Sequence, residues 1–166
     1  MDLTPKRADE SATEMVQVVL PNDANPLGFI LGGTVMHLID IAGAIACHRH
    51  TRSLLVTAAV DDLQFLHPIK VGDLIILKSR VTCTFNTSLE VQVDVYSEET
   101  LTGRGLLTSR AFLTFVAISR EGGRVRVPPL LVETEEERRT CEEAHARRAE
   151  RLRKKSSPES RASSPD

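Results

Sequence analysis

The stretch from Gly33 to His50 constrains the fold more than any other part of this sequence. Val35, Leu38, Ile39, Ala42, Ile45 and Ala46 recur at three- and four-residue spacing, the period of a helix, and Met36, Ile41 and Ala44 make much of the remaining circumference apolar. A helix apolar on nearly every side is one that other elements wrap. His48, Arg49, His50 and Arg52 close it with positive charge, which the C-terminal end of a helix dipole favours.

The segments around it read as strands. Met15 to Leu20 is rich in β-branched residues and stops at Pro21, and four further candidates follow the helix: Leu55 to Leu66, Leu74 to Phe85, Leu89 to Tyr96 and Leu106 to Ser119. In the third of these, Leu89, Val91, Val93 and Val95 alternate with Glu90, Gln92, Asp94 and Tyr96, the period of a sheet with one buried and one wetter face. Asn86, Thr87 and Ser88 form a hairpin connection, as do Glu99 to Gly103. One strand, one buried helix and four strands predict an α+β domain in which a curved antiparallel sheet wraps a single long helix, a hotdog-like order. From Val132 to Lys155 a second helix starts acidic at Glu133, Glu135, Glu136 and Glu137 and ends basic at Arg151, Arg153, Lys154 and Lys155. It is too poor in apolar residues for a core.

Composition sets the domain plan and removes several function classes. The 166 residues suit one domain with tails, so residues 1–13 and the Ser/Pro-rich 156–166 are expected to be disordered, with the domain over 14–132 and the charged helix over 133–155. A net charge of −2 argues against a general polyanion binder, and no Trp, one Tyr and five Phe argue against a base-stacking nucleic-acid surface. Cys47, Cys83 and Cys141 have neither the pairing of a disulfide framework nor the spacing of a zinc site, which fits a reducing compartment. No apolar run approaches the roughly 20 residues that cross a bilayer, and the N-terminus lacks a signal sequence's apolar region. A cytoplasmic protein is expected, with no metal, membrane or nucleic-acid partner.

Asp40 interrupts the apolar helix. Burying an unpaired carboxylate costs several kcal/mol, or about as much spent in raising its pKa towards general-base work. Gly43 and Ala44, one turn on, are small enough to leave room for a ligand above it. Spacing leaves open an aspartate that reaches a polar surface or caps a backbone group. Gly32 and Gly33, with Thr34, open the helix and allow another group to approach its free N–H donors, where a carbonyl oxygen turning negative is stabilised. Glycine pairs also simply punctuate turns. The helix start and Asp40 lie about two turns apart, within reach of one elongated substrate. His48 and His50 face different sides of the helix and make a poor metal pair, and His67 before Pro68 ends a strand. The motifs of serine hydrolases, nucleotidases, dehydrogenases and metalloproteases are missing.

Taken together these residues resemble a known family. The run from Pro21 through Asn25 to Gly32, Gly33 and Thr34, then Met36 to Ala44 around Asp40, is similar to the hotdog-fold acyl-CoA thioesterases related to brain acyl-CoA hydrolase and its bacterial homologues. Phe65 to Asp73, Asn86 to Val91, Ala111 to Ala117 and Val127 to Leu130 resemble that family in the same order, so the likeness covers roughly residues 15–150. It implies hydrolysis of a fatty acyl-CoA to free acid and CoA, with no cofactor beyond the substrate's own CoA, in a homodimer that assembles into a hexamer. By position, Asp40 resembles the helix carboxylate acting as general base or nucleophile, and Asn25 the asparagine that arrives from the opposite subunit. Gly32, Gly33 and Thr34 then serve the oxyanion, and Thr87 and Ser88 resemble a hairpin near the pantetheine arm of CoA. Leu31 departs from the pattern, since many relatives carry His before the glycine pair. Two other readings stand beside it: a hydratase or dehydratase acting on enoyl-CoA, and a binding module that senses acyl-CoA without turnover.

Overall fold

The computed structural model describes residues 2–156, and the chain divides into two units after Leu131. The first contains β1 (Lys6–Arg7), β2 (Thr13–Val18), a short 3-10 turn (Pro21–Asp23), α1 (Gly32–Thr51), β3 (Leu54–Phe65), β4 (Leu74–Thr84), β5 (Ser88–Glu98), β6 (Gly105–Ile118) and β7 (Leu130–Leu131). Five strands form one antiparallel sheet in the order β2-β4-β5-β6-β3, and α1 packs on all of them. This is the hotdog arrangement. β4 and β5 are joined by Phe85, Asn86 and Thr87 in a tight hairpin, with Phe85 N–H donating to Ser88 O at 2.8 Å.

Leu89, Val91, Val93 and Val95 of β5 are fully buried and meet Val35, Leu38, Ile39, Ala42 and Ala46 of α1 in one core. The opposite face of β5 is drier than the alternation predicts: Glu90 and Gln92 are buried too, and Glu90 Oε1 accepts from Thr82 Oγ1 at 2.8 Å. The helix is nevertheless wrapped on one side only. Met36 and His37 are exposed, and Asp40, Ile41, Ala44 and Ile45 are half-buried, so a continuous stripe of α1 is left open by its own sheet. Gly43 faces the other way. A Cβ there would stand 3.1 Å from Val91 Cγ1 and 3.3 Å from Phe115 Cε2, so this glycine brings helix and sheet together and leaves no space for a ligand. Gly43→Ala is therefore expected to lose about 1–3 kcal/mol in denaturant unfolding with helix content unchanged. Unchanged or higher stability would show that the contact has slack.

The expected disorder of residues 1–13 gives way to structure. β1 pairs in parallel with β7, Lys6 Nζ donates to His50 O at 2.7 Å, and Arg49 Nη1 donates to Ala12 O at 3.1 Å and to Thr13 Oγ1 at 2.9 Å. The last carbonyls of a helix have no partner within it, and the polar composition that suggests disorder is here a cation satisfying one of them.

His50 departs from the charged helix end that the sequence suggests. It is buried, its Nε2–H donates to Pro128 O at 3.0 Å, and Nδ1 has no partner among the described residues. Burial pushes its pKa down, the Lys6 ammonium adding to the effect and the Pro128 carbonyl and Glu10 opposing it. The unfolded chain thus takes up the His50 proton at higher pH than the folded one, so this contribution to stability is lost as pH falls from the ordinary imidazole range towards the lowered value. Unfolding midpoints between pH 7.5 and 5 should fall more steeply for wild type than for His50→Gln. Equal slopes would remove His50 from the account.

The second unit is α2 (Glu135–Ser156). Thr134 and Glu137 cap its start reciprocally, Glu137 N–H donating to Thr134 Oγ1 at 3.1 Å and Thr134 N–H to Glu137 Oε2 at 3.0 Å. Its first turn is acidic and its last basic, and among its described residues Ala144 alone is buried. Ser156 ends the helix, and the remainder of the expected C-terminal tail, 157–166, lies outside the described residues. No helix among the described residues is long and apolar enough to cross a membrane.

Candidate active site

Asp40 lies on the open stripe of α1. Its Oδ1 accepts a hydrogen bond from Thr57 Oγ1 at 2.7 Å, which aims the carboxylate while leaving it partly open to solvent. Thr57 pairs with Phe115 of β6, on the helix side of the sheet, and the register slips by one residue directly after it, at Ala58. A bulge of this kind re-aims a side chain. Sequence reading missed Thr57, although it is the first polar residue of the apolar run that opens β3.

The start of α1 is uncapped. Leu31 occupies the N-cap with no side chain to accept, so Gly32, Gly33 and Thr34 present backbone N–H groups that have no acceptor in the helix. A Cβ on Gly33 would meet nothing within 4 Å, whereas one on Gly32 would lie 3.5 Å from the Phe65 ring. Such a helix end binds a negative oxygen.

Asn25 sits in the loop before that helix end. Its Oδ1 accepts from Leu27 N–H at 3.0 Å and Phe29 N–H at 3.2 Å, and its own N–H donates to Phe29 O at 2.8 Å. The loop is thereby closed on the asparagine, and the carboxamide N–H donors remain available. Asn25 and Gly32 line one cavity of about 270 Å³ with Val35, Phe65, His67 and Ser109. Asp40 is not on its wall, so within one chain Asn25 joins the helix start and Asp40 joins Thr57.

Thr87 and Ser88 stand elsewhere. Ser88 pairs with Val116 of β6, seven residues from Ser109 and hence roughly 23 Å away along the strand. Thr87 O accepts from Ala117 N–H at 2.9 Å, and both side chains are half-buried.

Comparison with known proteins adds the family. The sequence profile of the thioesterase superfamily matches residues 27–104. The human cytosolic acyl coenzyme A thioester hydrolase is 34% identical over 145 residues, 86% of this chain and 38% of that one, so the chain spans under half of that relative's length. An acyl-CoA thioester hydrolase of Bacillus subtilis, itself uncharacterised, is 41% identical over 77% of this chain and 74% of its own. Among solved structures, an apo-hexameric acyl-CoA thioesterase superposes with a TM-score of 0.87 at 39% identity, covering 92% of this chain and 98% of the other. The Staphylococcus aureus acyl-CoA hydrolase, solved with butyryl coenzyme A and coenzyme A, superposes at 0.84 with 31% identity over 95% and 99% of the two chains. That enzyme has also been solved with alanine in place of one asparagine, one aspartate and one threonine. Along its chain those three are spaced by 15 and 17 positions, the spacings of Asn25, Asp40 and Thr57 here.

Proposed function

The chain belongs to the thioesterase superfamily, among its acyl-CoA thioester hydrolases, and on that footing we propose that it hydrolyses acyl-CoA to free carboxylic acid and CoA in the cytoplasm, with Asp40 as general base. The observation that carries this reading is a carboxylate on the uncovered stripe of α1, aimed by Thr57. Asp40 takes a proton from water as the water oxygen bonds to the thioester carbonyl carbon. The carbonyl oxygen becomes an anion facing the free N–H groups of Gly32, Gly33 and Thr34. Collapse of that intermediate re-forms the carbonyl, breaks the carbon–sulfur bond and returns the proton from Asp40 to the departing sulfur. No cofactor or metal takes part, and CoA is substrate and product. Thr87 and Ser88 are assigned to the pantetheine arm.

One chain alone does not complete this site. β3 forms an edge of the sheet, and its Leu54, Val56, Val60 and Phe65 are exposed. An edge of this kind invites a second copy. Pairing two β3 strands extends the sheet across a homodimer and brings the Asn25 loop of one subunit towards Asp40 of the other. Three such dimers make the hexamer that the structural neighbour's name describes for that protein.

The test is the identity of the products formed from saturated acyl-CoAs of increasing chain length and from an enoyl-CoA. Free acid and CoA are expected. A hydroxyacyl-CoA from the enoyl substrate would favour a hydratase, and tight CoA binding with no product would favour a sensor module. Leu31→Asp tests the helix start separately. A carboxylate at the N-cap should stabilise the fold by about 0.5–2 kcal/mol, and by occupying the N–H donors it should lower kcat more than tenfold. A rise in both would remove the helix start from the reaction.

A further inference from the structure

The inner face of β6 runs Ser109, Ala111, Leu113, Phe115 and Ala117, all of them buried, and Ser109 is the one polar member of that row. It pairs with Val95 on one side and with Phe65 on the other. Its exposure is 2%, and its hydroxyl makes no hydrogen bond among the described residues and opens onto the cavity, where water can reach it. A ligand that fills the cavity displaces that water, so the partner of the hydroxyl must then come from the ligand. Ser109 lines the cavity that also holds Asn25, Gly32 and Phe65.

Resting on the thioesterase reading above, we infer that Ser109 is a specificity-determining residue, whose hydroxyl selects acyl chains carrying an oxygen on C3 over unsubstituted chains of equal length. Asn25 and the helix start meet the thioester. Ser109 stands on the wall of the same cavity, so the atom it meets is a few bonds from the carbonyl. The rest of the wall around it, Ile30, Val35, Phe65 and Leu66, is apolar and offers such an oxygen little else. The exposed His67 stands at the same cavity and supplies a further polar edge. A saturated chain entering here strips Ser109 of any water and leaves it unpaired, whereas a 3-hydroxy or 3-oxo group replaces that water.

The test compares kcat/KM for butanoyl-CoA, 3-hydroxybutanoyl-CoA and 3-oxobutanoyl-CoA in wild type, Ser109→Ala and Ser109→Thr. Wild type should favour at least one of the oxygenated substrates over butanoyl-CoA by about five- to tenfold, the size of one neutral hydrogen bond. Ser109→Ala should bring that ratio to about one chiefly by speeding butanoyl-CoA, and Ser109→Thr, which keeps a hydroxyl, should retain part of the preference. The hydroxy and oxo arms distinguish an acceptor on the chain from a donor. A wild-type ratio near one that Ser109→Ala leaves unchanged overturns the inference while the thioesterase reading stands, and Ser109 is then a small residue accommodating Phe65. If wild type releases CoA from none of the three substrates or from longer chains, it is the thioesterase reading that fails.

Discussion

Asp40→Ala should reduce kcat for acyl-CoA hydrolysis by about 10³-fold, within the range of roughly 10²–10⁴ that a positioned general base contributes. The fold should survive. Asp40 is half-exposed, and the partner it loses, Thr57 Oγ1, lies on an exposed strand where water can replace the carboxylate. Unfolding midpoints should therefore lie close to wild type while turnover collapses, and KM should change far less than kcat, because the proposed general base acts on the attacking water and not on the ground-state ester. Near-normal turnover in this variant would mean that the aspartate only anchors β3 to α1. A joint loss of turnover and stability would mean the same.

Asn25 needs a different substitution, because its carboxamide has one job in the loop and a second in the proposed reaction. The oxygen holds the loop through Leu27 and Phe29, and the N–H donors are the part the proposal gives to the substrate. Asn25→Asp keeps an acceptor for both backbone donors and removes only the donors, whereas Asn25→Ala removes both functions. A loss of about 10²-fold in kcat is expected for Asn25→Asp, comparable to deleting one donor from an oxyanion site, with stability near wild type. Asn25→Ala should lose activity to a similar degree and also unfold earlier. If Asn25→Asp retained full turnover, the asparagine would be a loop residue and nothing more.

Much of this was legible in the sequence because the patterns carry it. The 3.6-residue period of α1 and the strict alternation of β5 specify which faces meet, and the glycines at 32 and 33 mark an uncapped helix start. Asp40 stands out as a charge in an apolar run. What escaped depends on register and long-range pairing. Thr57 becomes the partner of Asp40 only through the slip at Ala58, and Ser109 becomes a cavity residue only once β3 lies beside β6. Lys6 and His50 are 44 positions apart, and no local pattern announces their hydrogen bond. Gly43 was misread for a related reason. Its small size serves the sheet behind the helix, and the direction of a missing side chain is invisible until both faces are assigned.

The central claim is a site completed by two subunits, with Asp40 from one and Asn25 from the other, and mixing two inactive variants tests it most directly. Asp40→Ala and Asn25→Asp chains, unfolded together and reassembled, are assayed for release of the CoA thiol. Each heterodimer then contains one doubly altered site and one site with both native residues, and half of randomly paired dimers are heterodimers, so about a quarter of wild-type turnover should return. Turnover no higher than that of either variant alone, in mixtures shown to contain heterodimers, would contradict the account and place the whole reaction within a single chain.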